Sequence, residues 1–159
     1  MLLGLQYCGY RLAGTGQYIP EHIKSIVIRN FDNKTSRYQA EQFVTFAVRE
    51  EFLRRSKLQL KENIGEADSV LEGEIVGFDV IPMNYGDDIS ANTFRVIITI
   101  NIKFLDLKNN QTIYESQRMT FTDSYEIDSG DFFSQETETL EKISKDFASS
   151  IVTSILENF

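Results

Sequence analysis

The clearest pattern in the chain is the run TFRVIITINIKFLD, Thr93 to Asp106. Phe94, Val96, Ile98, Ile100, Ile102 and Phe104 fall on one side of it without exception. Arg95, Thr99, Asn101 and Lys103 fall on the other, joined by Ile97 and Leu105. A period of two is the mark of a strand with one buried face, so this run predicts a long strand. KNNQ, Lys108 to Gln111, supplies turn chemistry, and TIYESQRMTF follows as a hairpin partner. Its alternation sets Tyr114, Ser116, Arg118 and Thr120 against Ile113, Met119 and Phe121. Upstream, VLEGEIVGFDVIPM reads as a strand interrupted by Gly73 and Gly77, where a bulge or bend is expected. IKSIVIRNF, from Ile23, is a further β-rich run with Ile26 and Ile28 on one face, and Leu58 to Leu60 is a short apolar piece.

Two segments carry the helical period instead. Between about Tyr38 and Arg55, apolar residues recur at Ala40, Phe43, Val44, Ala47, Val48 and Phe52. Glu41 near the start and Arg54 and Arg55 near the end complement the helix macrodipole. Phe43, Phe46 and Phe52 are expected to pack in the core. Near the C-terminus Leu140, Ile143, Phe147, Ile151 and Ile155 form a stripe widened by Val152 and Leu156, with Ser134 as candidate N-cap.

The order strand, helix, three or four strands, helix predicts an α+β fold. Two helices pack on one face of a mostly antiparallel four- to five-stranded sheet. If both helices cover the face of Phe94, Val96, Ile98 and Ile100, nothing remains for the face of Arg95, Thr99, Asn101 and Lys103. Such a face either meets water or receives a partner suited to a polar, water-rich interface.

Composition narrows the function. At 159 residues the prior is one domain, expected over 23–159, behind a Gly-rich tether at 8–22. A net charge of −8 argues against nucleic-acid binding, which rests on clustered Lys and Arg. The one histidine, His22, stands beside the tether, a poor place to build a catalytic dyad or triad, and one Cys plus one His falls short of a zinc site. The acidic stretches Gly86 to Asp88 and Glu126 to Asp131 lack the spacing of a calcium loop and read as solvated loops. No enzyme, metal or soluble cofactor is expected. The single cysteine, Cys8, excludes an internal disulfide and leaves a core thiol, a nucleophile or an attachment point. The apolar run Met1 to Leu5 before it looks like the end of a secretory signal, so residues 1–7 are expected to be its remnant.

The opening CGY, the entry IPEHIKSIVIRNF into the first strand, and EGEIVGF together resemble the LptE family of lipopolysaccharide-assembly lipoproteins, over nearly the whole chain. The resemblance implies a lipoprotein on the periplasmic side of the outer membrane. Such a protein inserts into a large β-barrel translocon, LptD, helps it assemble and assists lipopolysaccharide delivery to the cell surface. It also implies that Cys8 is the lipid-bearing residue. Leu5 stands where the processing site wants an aliphatic, and Tyr7 where that site usually has a small residue. Arg95, Lys103 and Arg118, on the polar face of neighbouring strands, become candidate contacts to lipopolysaccharide phosphates or to acidic residues of the barrel. The alternative is a periplasmic lipoprotein that regulates a cell-wall synthase. The 14 residues from Cys8 to Ile23 argue against it, since they extend about 50 Å at most, and a regulator must cross the periplasm.

Overall fold

The computed structural model describes residues 19–83, 93–127 and 132–157. Cys8, most of the tether, Gly86 to Asp88 and the end of the Glu126 to Asp131 stretch lie outside them. The elements are β1 (Ser25–Ile28), β2 (Asp32–Asn33), α1 (Ala40–Arg55), β3 (Gln59–Leu60), β4 (Ser69–Met83), β5 (Thr93–Asp106), β6 (Gln111–Glu126) and α2 (Phe132–Glu157). The expected α+β architecture is present. The sheet runs β3-β1-β4-β5-β6 with β2 also paired to β4, and both helices lie on one side of it. The three long strands form an antiparallel meander, while the short β1, β2 and β3 pair in parallel at one side.

The alternation in β5 is realised as read. Val96, Ile98, Ile100, Ile102 and Phe104 are buried under the helices, with Ile143, Phe147, Ile151 and Ile155 of α2 and Val44, Val48 and Phe52 of α1 opposite them. Phe147 is the hinge of the packing, meeting Phe31 and Phe121 edge-on with ring centroids 6.0 and 5.4 Å apart. The helices are tied to each other by Arg55 of α1, which donates to Thr153 Oγ1 at 2.6 Å and pairs with Glu157 of α2.

Three details depart from the sequence reading. Phe46 is 62% exposed, because it lies two positions from both Val44 and Val48 and so on the opposite side of the helix from the buried stripe. The helix α2 begins at Phe132, which puts Ser134 inside its first turn and not at its cap. The faces of β6 are the third. Ile100 pairs with Met119 but Ile102 with Ser116, so one extra residue is inserted at Gln117–Arg118. Arg118 takes a left-handed φ of 54° there. Each bulge shifts the face by one residue, so Tyr114 and Ser116 share the helix-covered side with Met119 and Phe121, while Arg118 and Thr120 stay on the other.

The two glycines of β4 serve different ends. The predicted bulge sits next to Gly77, between Ile75 and Gly77. Gly73 is in regular register with Ile102, and the ring of Phe31 lies where its side chain would be: a Cβ there would come within 2.1 Å of Phe31 Cε1.

Candidate interaction surface

The side of the sheet away from the helices is built by strand alternation alone. In register across β4, β5 and β6 it carries Asp79, Ile97 and Thr122, then Gly77, Thr99 and Thr120, then Glu72, Lys103 and Glu115. Arg95 lies between Ile81 and Ser124, and Ile81 is 46% exposed. Toward the β1 end the side closes, and Val27 and Val70 are buried in register there.

The ion pairs on this surface form ladders. Arg29 of the β1–β2 connection reaches Glu72 at 2.8 Å, Lys34 approaches Glu74 at 3.7 Å, and Asn101 donates to Glu74 at 3.4 Å. Lys103 is half-buried with glutamates on both neighbouring strands, so its charge is locally offset. Arg118 stands beside it, its backbone N–H donating to Asn101 Oδ1 at 2.8 Å. Arg95 is eight residues from Lys103 along β5, about 27 Å at strand rise. The three candidate cations therefore share a face, but only Lys103 and Arg118 are neighbours. The surface is mixed and hydrogen-bonding, and Arg95 and Arg118 are exposed on it alongside the ion-paired Arg29 and Lys34.

Two polar clusters lie outside that face and were not legible in the sequence. At one end of the sheet, His22 Nε2 is 2.6 Å from Asp106 Oδ2, a carboxylate only 2% exposed. Asp106 also accepts from the backbone N–H of Lys108 and Asn109 and from the Asn109 amide. Lys108 reaches Asp68 at 2.7 Å, and Asp68 accepts the backbone N–H of Lys24 and Ser25. These donors hold the Asp68 carboxyl far below the usual carboxylate range, the Lys108 hydrogen bond most of all and then that of Lys24. His22, expected beside a loose tether, is thus pinned to the hairpin turn, and Ile19 packs against the core before it. The partners are 84 residues apart in the chain, which no local pattern reveals.

At the other end, Glu136 of α2 is buried and lies 2.7 Å from Arg37 Nε, an ion pair whose N–H is not aimed at the carboxylate. Arg37 also sits over the Phe78 ring, 5.9 Å from its centroid. Burial first, and the charge of Glu136 second, push the nearby Tyr125 hydroxyl up to about 12. Among the described residues no group of His, Cys, Asp and Glu is arranged to hold a metal ion, and no helix is long and apolar enough to cross a membrane.

Comparison with known proteins agrees with this fold. The family model LptE, lipopolysaccharide-assembly, matches residues 23–155. Among solved structures, PelC from Paraburkholderia phytofirmans, a dodecamer, is 11% identical over 90% of this chain and 96% of its own, with a TM-score of 0.58. An uncharacterized lipoprotein B from Nitrosomonas europaea is 11% identical over 89% and 91%, at 0.57. A putative lipoprotein from Caulobacter crescentus is 13% identical over 79% and 87%, at 0.54. At such identities the likeness to these three is one of fold alone. A search of curated protein sequences gives no match.

Proposed function

Because this chain belongs to the LptE family of lipopolysaccharide-assembly proteins, we propose that it is an outer-membrane lipoprotein, anchored through Cys8, whose bare sheet face seats against the inner wall of a large β-barrel translocon of the LptD kind. There it stabilises the barrel during assembly and assists passage of lipopolysaccharide, without catalysing a reaction. The observation that carries this reading is the one-sidedness of the domain. Both helices cover one face of the sheet, and the opposite face is left as a strip of Thr, Asn, Arg and Glu over three long strands. Such a strip suits a wet, polar interface better than an apolar one.

The anchoring geometry is consistent with a partner at the membrane. The chain is docked from Ile19 onward, where Ile19, Pro20 and Ile23 line a groove with Leu58 and Leu156, and the Ile23 N–H donates to the Pro20 carbonyl at 2.9 Å. From Cys8 to Ile19 the chain extends at most about 40 Å. In this reading the Lys108–Asn110 turn, held to His22 near the docked end of the tether, is the end of the sheet nearer the membrane. Acyl chains on one residue would supply the apolar burial for stable anchoring, at about 0.8 kcal/mol per buried CH₂.

Two measurements test the reading. Affinity purification from detergent-solubilised outer membrane is expected to recover a large β-barrel protein in equimolar amount; recovery of a cell-wall synthase in its place would favour the regulator alternative. Intact-mass analysis of the native protein is expected to show an acyl-modified Cys8, and Cys8→Ala is expected to leave a folded domain that no longer fractionates with membranes. A free Cys8 thiol in the native protein would remove the anchor from the account.

A further inference from the structure

The cations of the bare face are not equivalent. Arg29 and Lys34 are held by Glu72 and Glu74, and Lys103 lies in register between Glu72 and Glu115. Arg95 and Arg118 are exposed and have no ion-pair partner among the described residues. Arg95 stands at a regular strand position, opposite Ile81 on one side and Ser124 on the other. Arg118 differs, because side chains fix its backbone. Its N–H donates to Asn101 Oδ1 at 2.8 Å, and its carbonyl accepts the Thr120 hydroxyl at 3.4 Å. Asn101 is held in turn, its amide donating to Glu74 at 3.4 Å.

These bonds keep Arg118 at a φ of 54°, in the left-handed region, where a residue with a Cβ carries strain that glycine does not. Bulges of left-handed φ are commonly built on glycine. Here the position is an arginine, and the bulge takes it out of the ladder and re-aims its side chain on the bare face. Strain held in place by two side-chain bonds, at the one cation that a bulge presents, is the mark of a built contact.

We propose that Arg118 anchors the bare face to a carboxylate on the wall of the partner barrel, and that Asn101 is a positioning residue that aims it by holding the bulge. The proposal rests on the barrel reading above and names a contact within it. A guanidinium grips a carboxylate through two parallel hydrogen bonds. The fixed acids around it, Glu74 through Asn101 and Glu115 beside Lys103, select the anion. They repel a phosphate more strongly than a singly charged carboxylate. Thr99 and Thr120, paired in register next to the bulge, leave a polar surface on which a wall can close.

The test uses the full chain, tagged and recovered with its barrel from detergent-solubilised outer membrane, while thermal melting is measured on the purified chain. Arg118→Gly is expected to melt at or above the temperature of the parent, since glycine relieves the left-handed φ, and yet to lower barrel recovery about tenfold. Stability and binding then move in opposite directions, which a merely structural role for Arg118 does not produce. Arg118→Lys should fall between the two, because it keeps the charge and loses the bidentate geometry. Asn101→Ala should lower recovery about fivefold in the parent and add nothing in the Arg118→Gly chain. Arg95→Gln should stay within about twofold of the parent. The gap between parent and Arg118→Gly should narrow at high salt. Parental recovery by Arg118→Gly would overturn the inference and leave the barrel reading standing, whereas no barrel with the parent chain would remove both. An equal loss from Arg95→Gln would show diffuse charge in place of a positioned anchor. If Arg118→Gly lost lipopolysaccharide binding with barrel recovery intact, the arginine would belong to the lipid and the inference would fall.

Discussion

Neighbouring residues of β5 live in opposite surroundings. Ile100 is fully buried between Ile75 and Met119 beneath the helices, while Thr99, one step along, lies between Gly77 and Thr120 on the bare side. The same contrast recurs in the two glycines of β4, with Gly73 filled by the Phe31 ring and Gly77 facing only the Thr99 side chain. One face holds the buried core of the domain, and the other, in the proposed reading, meets a partner. Changes on the first should therefore unfold the protein, and changes on the second should alter what it binds.

Ile100→Ala is expected to cost about 2–5 kcal/mol, the usual range for truncating a buried aliphatic, measured by chemical denaturation. Gly73→Ala should follow at about 1–3 kcal/mol, since overpacking forces a buried ring from its place. Its far-UV spectrum should stay native while the melting temperature falls. A Gly73→Ala protein as stable as the parent would mean that Phe31 is not held over the strand as described.

A smaller and pH-dependent effect is expected at Asp68, which fixes the first strand by hydrogen bonds to Lys24 and Ser25 and an ion pair to Lys108. Its folded pKa is lowered, so its contribution is fully present above the unfolded carboxylate value of about 3.9. That contribution is lost as pH falls toward the folded value. Asp68→Asn should therefore be less stable than the parent at neutral pH, and the two stability curves should converge on acidification. Curves that stay parallel down to acid unfolding would show that the charge of Asp68 is not what holds this end together.

The smallest effects belong to the bare face. Thr99→Ala should cost well under about 1 kcal/mol. Gly77→Ala should be mild, because its new Cβ would stand 3.2 Å from the Thr99 Cβ. The two changes should be coupled, since Thr99→Ala removes the Oγ1 that would stand 3.3 Å from the new Cβ while Thr99→Gly removes the Cβ contact as well, and double-mutant cycles read that coupling directly.

What could be read in advance follows from how local each signal is. The β5 run was legible because every second residue from Phe94 to Phe104 is apolar without a break. The stripe of α2 was legible because Leu140, Ile143, Phe147, Ile151 and Ile155 are all buried on one side. The faces of β6 were misjudged where a single inserted residue at Gln117–Arg118 shifts everything before it, and alternation carries no mark of an insertion. Phe46 misled because its residue type suggests burial while its position on the helix denies it. The anchoring of His22 by Asp106 and the burial of Glu136 against Arg37 join distant segments, so they exist only once the fold does. The polar face was legible as a face, but its three candidate cations proved to be one adjacent pair and one distant arginine, because charge spacing along a strand becomes distance at over 3 Å per residue.

The central claim is that the bare side of the sheet, and not the helical side, is what the partner meets. Site-specific photo-crosslinking in intact cells compares the two directly, with the photoreactive residue placed at Thr99 on the bare face or at the exposed Phe46 on α1. The account predicts a cross-link from Thr99 to a large outer-membrane β-barrel protein and none to it from Phe46. A barrel cross-link from Phe46 with Thr99 silent would contradict it.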